Sequence, residues 1–315
     1  MSRYVLALDF GGTKLAADLV EKKATSFRRI LTASTPPSED QSVEFMIWLA
    51  RQLNPAESGT LVAIGVSFGG PVDSARGIVR RSLHIPGWDD VKLVELLREE
   101  FGVPVTVRND GEAGALGAWW FGETRRPRSL CYVTVGTGIG SGIVVDGHVV
   151  EGCDGLAGEV GHIVIDANGA ECTCGGRGCA EAIAAGPAIA RRAEEAARQS
   201  PASATSLIRI LKSGRQLSAL DVAATAEIGD PISVRYLVEA GQVLGQVAAT
   251  ITCLLNPNVI AFSGGVLGSS TVWSALKAEY VDRRRLQTRT EVTHLKLDHP
   301  SLWGAVILAN ESLSS

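Results

Sequence analysis

Hydrophobic positions change period several times along the chain, and each change marks an element. Tyr4 to Asp9 is a near-continuous apolar run of buried-strand length, and Leu15 to Val20 is a second, with Gly11-Gly12 turning the chain between them. Val43, Phe45, Met46, Leu49 and Leu53 recur at helical spacing, which predicts a helix over Ser42 to Leu53. Leu61 to Ser67 predicts a strand, Val91 to Phe101 an amphipathic helix, and Val103 to Val107 another strand. This alternation predicts an α/β fold built on a mixed sheet. The layout then restarts with strand Leu130 to Val135, a tight turn from Gly136 to Gly140, and strand Ser141 to Val150. The order repeats the opening one, so we read a duplication of topology rather than of sequence. Helical patterns cover Ala180 to Gln199, Ser218 to Ile228 and Ile232 to Leu255. Strands at Val259 to Ser263 and Val292 to Leu297 follow, and Leu302 to Leu313 predicts an apolar terminal helix. A hinge is expected near Arg108-Asn109-Asp110, where a strand ends and the second unit begins.

Composition narrows the class. A chain of 315 residues is long enough for two lobes. An apolar content of 45% with 20% charged residues is that of a soluble globular protein. The net charge of −4 argues against nucleic acid as a partner, because binding phosphates needs a basic face. The arginine runs at Arg80-Arg81, Arg125-Arg126 and Arg283-Arg284-Arg285 read as solvated surface. The strand pattern starts at once, with no export-type segment before it and no run of about 18 apolar residues. Cys131, Cys153 and Cys253 lack the spacing of a disulfide framework. We therefore expect a cytoplasmic protein with no membrane partner. The long apolar helix Ile232 to Leu255 would serve either a core or the interface of a homo-oligomer.

The candidate chemistry lies in a few short stretches. Cys172, Cys174 and Cys179 are spaced by glycines, and His162 lies just upstream in Gly158-Glu159-Val160-Gly161-His162. Three thiols and an imidazole make a tetrahedral Cys3His set, which predicts structural Zn²⁺. Glu159 and Glu181 bracket that set and offer acceptors for a polyol. His162 would bind the metal through one nitrogen and a ligand through the other. His148, His294 and His299 have no such context and read as packing residues. Asp9-Phe10-Gly11-Gly12-Thr13-Lys14 follows a buried strand. Its glycines would admit phosphate oxygens to backbone N–H groups, Thr13 adds a hydroxyl, Lys14 a charge, and Asp9 a ligand for Mg²⁺ through water. A plain hairpin turn is the alternative explanation of those glycines. Gly136, Thr137 and Gly138 pose the same choice at the start of the second unit, and the pair of turns favours phosphate. Gly264-Gly265 would allow close approach of an adenosine ring or merely start a helix. Asp110, at the carboxyl end of a strand, would accept a hydroxyl proton or cap the helix that begins there. His84, in Leu83-His84-Ile85-Pro86-Gly87-Trp88, belongs to a loop that would cover a pocket or lie on the surface.

Together these motifs resemble the ROK family of sugar kinases and sugar-responsive repressors. The matching pieces are Asp9-x-Gly-Gly-Thr-Lys14, Gly69-Gly-Pro-Val-Asp73, Asn109-Asp110, Gly136-Thr-Gly-Ile-Gly140, Glu159-x-Gly-His162, Cys172-x-Cys-Gly-x-x-Gly-Cys179-x-Glu181 and Asn256-Pro257. The resemblance implies an actin-like ATPase (ribonuclease H-like) duplicated fold, two lobes with a cleft between them. It places the lobes at 1–108, joined by a terminal helix at about 300–315, and at 109–299. It implies an ATP-dependent hexose kinase, a glucokinase first of all, with Asp110 as catalytic base. Gly70, Asn109, Asp110, Glu159, His162 and Glu181 would bind sugar. Asp9, Gly11, Gly12, Thr13, Lys14, Gly136, Thr137, Gly138, Gly264 and Gly265 would bind ATP with Mg²⁺. Zn²⁺ would sit on His162, Cys172, Cys174 and Cys179. Two departures touch the sugar side: His84-Ile85 stands where relatives carry Asn-Leu, and Val66-Ser67-Phe68-Gly69-Gly70-Pro71 where many have Ala-Pro-Gly-Pro. They keep open a kinase of mannose, fructose or an N-acetylhexosamine, and polyphosphate as donor. A repressor would need a DNA-binding module ahead of Asp9, for which there is no room here.

Overall fold

The computed structural model describes residues 2–22, 24, 26–53, 59–81, 87–124, 126–200, 205–284 and 287–313. In chain order it contains β1 (Ser2–Phe10), β2 (Lys14–Glu21), β3 (Leu31–Ser34), α1 (Glu39–Gln52), β4 (Gly59–Phe68), β5 (Val72–Asp73), β6 (Ile78–Val79), α2 (Leu93–Phe101), β7 (Val105–Asn109) and α3 (Asp110–Phe121). The strands β8 (Ser129–Val135), β9 (Ile139–Val145) and β10 (His148–Val149) follow. Next come α4 (Ala180–Ala184), α5 (Gly186–Gln199), α6 (Thr205–Lys212), α7 (Ala219–Glu227) and α8 (Pro231–Leu255). The chain ends with β11 (Val259–Ser263), α9 (Ser270–Arg283), β12 (Glu291–His294) and α10 (Pro300–Glu311).

The first sheet runs β3-β2-β1-β4-β7 and the second β10-β9-β8-β11-β12. Each has its opening strand in the middle, a hairpin on one side and later strands on the other. The predicted duplication of topology is therefore present. In the first sheet β1 is antiparallel to β2 and parallel to β4, which is parallel to β7.

Contacts divide the chain into two compact units. The first comprises Met1–Tyr132, Gly142–Gly158 and Lys296–Ser315, and the second Val133–Ser141 and Glu159–Leu295. The first unit runs past the expected boundary at 108 because α3 packs along α10. In this unit β1 is covered on both faces, which explains its unbroken apolar run. Leu6, Leu8 and Phe10 pack with Met46 and Leu49 of α1 and Leu93 and Leu97 of α2. Val5 and Ala7 point the other way, onto Leu302, Trp303 and Val306 of α10.

In the second unit α8 packs on α9, α4, α5 and α7. Among the described residues it is the one helix long and apolar enough to cross a membrane, and its apolar character is used in this packing.

Several sequence expectations change, and β3 and α6 were not predicted. The helix expected over Ala180 to Gln199 is two, because Ala185 is extended (φ −70°, ψ 154°) and Pro187 starts the next. The strand expected over Ser141 to Val150 breaks at Asp146-Gly147, where φ is +50° and +84°, an Asp-Gly hairpin turn. The helix α9 was not predicted, although Ser269 caps it and Val272, Leu276 and Tyr280 bury at four-residue spacing.

Candidate functional site

In the first unit the turn after β1 is built by main-chain geometry. The Gly11 N–H donates to the Lys14 carbonyl at 3.0 Å, and a Cβ on Gly11 would lie 2.6 Å from that oxygen. Thr35 ties the turn down through its hydroxyl to the Gly11 carbonyl (2.7 Å) and its N–H to the Thr13 carbonyl (3.1 Å). Thr13 and Lys14 are left exposed at the tip. Asp9 lies at its base, where it accepts from the Ser67 hydroxyl at 2.7 Å. Burial pushes its carboxyl up to about 6, against the opposing pull of the Ser67 hydrogen bond and the Lys14 charge.

Asn109 closes β7 and caps α3. Its Oδ1 accepts from the Gly111 N–H at 2.8 Å, and its Nδ2 donates to the Gly70 carbonyl at 2.9 Å. The cap role offered for Asp110 therefore belongs to Asn109. Asp110 is the first residue of the helix, and its carbonyl accepts from the Ser301 hydroxyl at 3.1 Å. Asp9, Asn109 and Asp110 sit at the carboxyl ends of parallel strands, the usual ligand edge of such sheets. The loop 82–86, with His84, lies outside the described residues. Trp88 after it is core, at 4.6 Å from the Phe68 ring and 5.7 Å from Phe10.

In the second unit the turn from Gly136 to Gly140 is joined to the cysteine-rich segment by Glu181. One carboxylate oxygen of Glu181 accepts from the Ile139 N–H at 2.9 Å, and a Cβ on Gly138 would lie 2.7 Å from it. The other oxygen accepts from the Thr173 hydroxyl at 3.2 Å. The Gly136 carbonyl accepts from the Gly186 N–H at 2.8 Å, which sets α5 beside the turn. Sequence reasoning assigned Glu181 only to polyol binding. Its bond to a residue 42 positions away leaves no local signal.

His162, Cys172, Cys174 and Cys179 bring one donor atom each to within 4.8 Å of one another. His162 Nδ1 is 3.6 Å from Cys172 Sγ, and Cys174 Sγ is 3.8 Å from Cys179 Sγ. Tetrahedral Zn²⁺ with bonds of about 2.3 Å to sulfur separates its sulfurs by about 3.8 Å, so the donor set fits that ion. The other ring nitrogen, Nε2, faces Glu159 Oε2 at 3.7 Å. Burial raises the Glu159 carboxyl above its ordinary range; the nearby His162 opposes this and the Glu181 charge adds to it.

A cavity of about 760 Å³ opens beside Gly136 and Thr137. Its walls come from Pro187 and Ala190 of α5, Leu220 and Ala223 of α7, and Val266. No lysine or arginine lines it among the described residues, and Glu227 is its one acidic group. Gly265 belongs to this wall. Gly264 serves packing instead. With φ +99° and the Val135 carbonyl 2.4 Å from a would-be Cβ, it lets the turn lie against β8. The α7 wall was not foreseen, since a row of alanines and leucines reads as ordinary helix.

A model described as the ROK family matches residues 5–312. A glucokinase of Halalkalibacterium halodurans is similar at 33% identity over 273 residues, covering 84% of this chain and 81% of its own. A xylose repressor of Bacillus subtilis is similar at 26% identity, covering 89% of this chain and 69% of its own. Among solved structures, a ROK family glucokinase from Streptomyces griseus in complex with glucose and AMPPNP aligns with a TM-score of 0.86. It is 28% identical and covers 98% of this chain and 99% of its own.

Proposed function

Because the chain belongs to the ROK family and has its actin-like ATPase fold, we propose that it is an ATP-dependent hexose kinase with glucose as first substrate. The observation that carries the donor is the apolar, cation-free cavity beside the Gly136-Thr137 turn. An adenosine moiety suits such walls, with its phosphates on the turn amides. The glucokinase relatives support glucose as acceptor.

In this reading Asp110 takes the proton of the sugar 6-hydroxyl as its oxygen bonds to the γ-phosphorus. The bond from that phosphorus to the bridging oxygen breaks, and ADP leaves. Asn109, Glu159, His162 and Glu181 hold sugar hydroxyls, with the Gly70 backbone beside Asn109. Lys14, Thr13 and the Gly12 amide hold phosphate oxygens, as do the Thr137 and Gly138 amides, since the Gly11 and Gly136 N–H groups already donate within their own turns. Asp9 would hold Mg²⁺ through water, and the ion would supply positive charge against the phosphates. His162, Cys172, Cys174 and Cys179 would hold Zn²⁺, which would fix the His162 ring with Nε2 left for a sugar hydroxyl. The enzyme is cytoplasmic and homo-oligomeric.

An ATP-coupled assay over glucose, mannose, fructose, N-acetylglucosamine and N-acetylmannosamine tests this, with polyphosphate as alternative donor. Glucose with ATP should give the highest kcat/KM. Asp110→Asn should lower kcat by about 10²–10⁴-fold with sugar and nucleotide affinities retained. Near-normal turnover of that variant, or no turnover of any sugar by the unaltered enzyme, would refute the assignment.

A further inference from the structure

Arg108 is the residue before Asn109-Asp110, and its side chain lies mostly under the surface of the first unit. Its Nη1 reaches Glu151 Oε1 at 2.8 Å and Glu112 Oε2 at 3.4 Å. Glu112 is only 5% exposed, and its carboxylate also accepts from the Asn109 N–H. Since the Asn109 side chain in turn accepts from the Gly111 N–H, the first turn of α3 is capped in both directions. Asp110 therefore sits in a backbone held on its amino side by β7 and on its carboxyl side by Glu112. Glu151 opens the segment that leads into Glu159, and its carbonyl accepts from the Ala157 N–H at 3.0 Å. Glu311 of α10 is a further carboxylate within electrostatic reach of the guanidinium.

Stability alone does not account for this arrangement. Arg108 Nε is buried with no partner among the described residues, and burying a cation with an unmet donor costs more than an apolar side chain of like size. A guanidinium does what an apolar chain cannot: through Nη1 it bridges two carboxylates from different segments.

We propose that Arg108 is a positioning residue for Asp110, clamping the start of α3 to the Glu151 segment through Glu112 and Glu151. The inference rests on the kinase reading for its catalytic consequence, whereas the clamp itself is a property of the first unit.

The test separates the two. Removing Arg108 strands the buried Glu112 carboxylate, which can unfold the chain, so Glu151→Gln is studied beside Arg108→Met and Arg108→Lys. Hydrogen exchange should quicken together over residues 109–113 and 151–158 in Glu151→Gln and Arg108→Met, and less in Arg108→Lys. In the same proteins kcat should fall about tenfold while KM for hexose and for ATP changes little, as expected when a base is displaced rather than a binding group lost. The double variant should be no slower than the worse single one. Faster exchange confined to one segment would overturn the clamp, and unchanged kcat in Glu151→Gln despite coupled loosening would overturn the positioning of Asp110. Coupled loosening in a protein that phosphorylates no sugar would overturn the catalytic role by way of the kinase reading.

Discussion

Asp9 is stabilised by the Ser67 hydroxyl and Lys14, yet burial outweighs both. Its folded-state carboxyl, near 6 rather than 3.8, binds a proton more tightly than the unfolded chain does. The carboxylate therefore weakens the fold increasingly as pH rises from about 4 to about 6, and fully above that, by at most about 3 kcal/mol. Asp9→Asn keeps an oxygen for Ser67 and removes the charge. It should stabilise the protein at pH 7.5 and leave stability at pH 4 nearly unchanged, while turnover is lost. Denaturant titrations at the two values check this, and an equal gain at both would reject the burial argument. On the proposed function the same burial predicts activity falling below about pH 6, because a protonated Asp9 would offer Mg²⁺ less charge. The sequence marked Asp9 because a carboxylate ends an apolar strand before Gly11-Gly12. It could not reveal Ser67, which arrives from β4.

At the scale of elements, α10 shows how glycine decides packing. A Cβ on Gly304 would lie 1.8 Å from the Ala113 carbonyl of α3, and one on Gly65 of β4 would lie 1.8 Å from the Ala305 carbonyl. Gly117 of α3 meets the Pro300 carbonyl in the same way, at 2.0 Å. Glycine inside a helix is ordinarily worse than alanine by about 1 kcal/mol. Here the sign reverses, because backbone cannot yield. Gly304→Ala should cost about 1–3 kcal/mol, measured as a lowered midpoint in denaturant with an unchanged slope. A stabilised Gly304→Ala would show that α10 does not pack so closely. The helix itself was legible from its apolar run over 302–313. Its small-residue contacts were not, because a glycine that relieves a clash reads like one that merely breaks a helix.

For the molecule as a whole, the two units are expected to answer differently to metal. The Cys3His set lies wholly in the second, so if Zn²⁺ is held there as proposed, removing it would leave three crowded thiols in that unit. Chelation should lower the second unit's melting transition by calorimetry, weaken hexose binding, and spare the first unit. Metal analysis should find about one zinc per chain, and fresh protein without zinc would sink this expectation. The sequence by itself determined the strand and helix periods, the repeated strand-turn-strand layout, and the Cys3His cluster. Those features rest on residues close along the chain, where covalent connection limits the geometry. Tertiary structure alone decided that Glu181 would hold the Ile139 amide, that Asn109 rather than Asp110 would cap α3, that α7 would wall a cavity, and that Arg108 would gather Glu112 and Glu151. Each of these depends on which faces bury against one another, and the energy that selects those faces is summed over the whole core rather than written in any one segment.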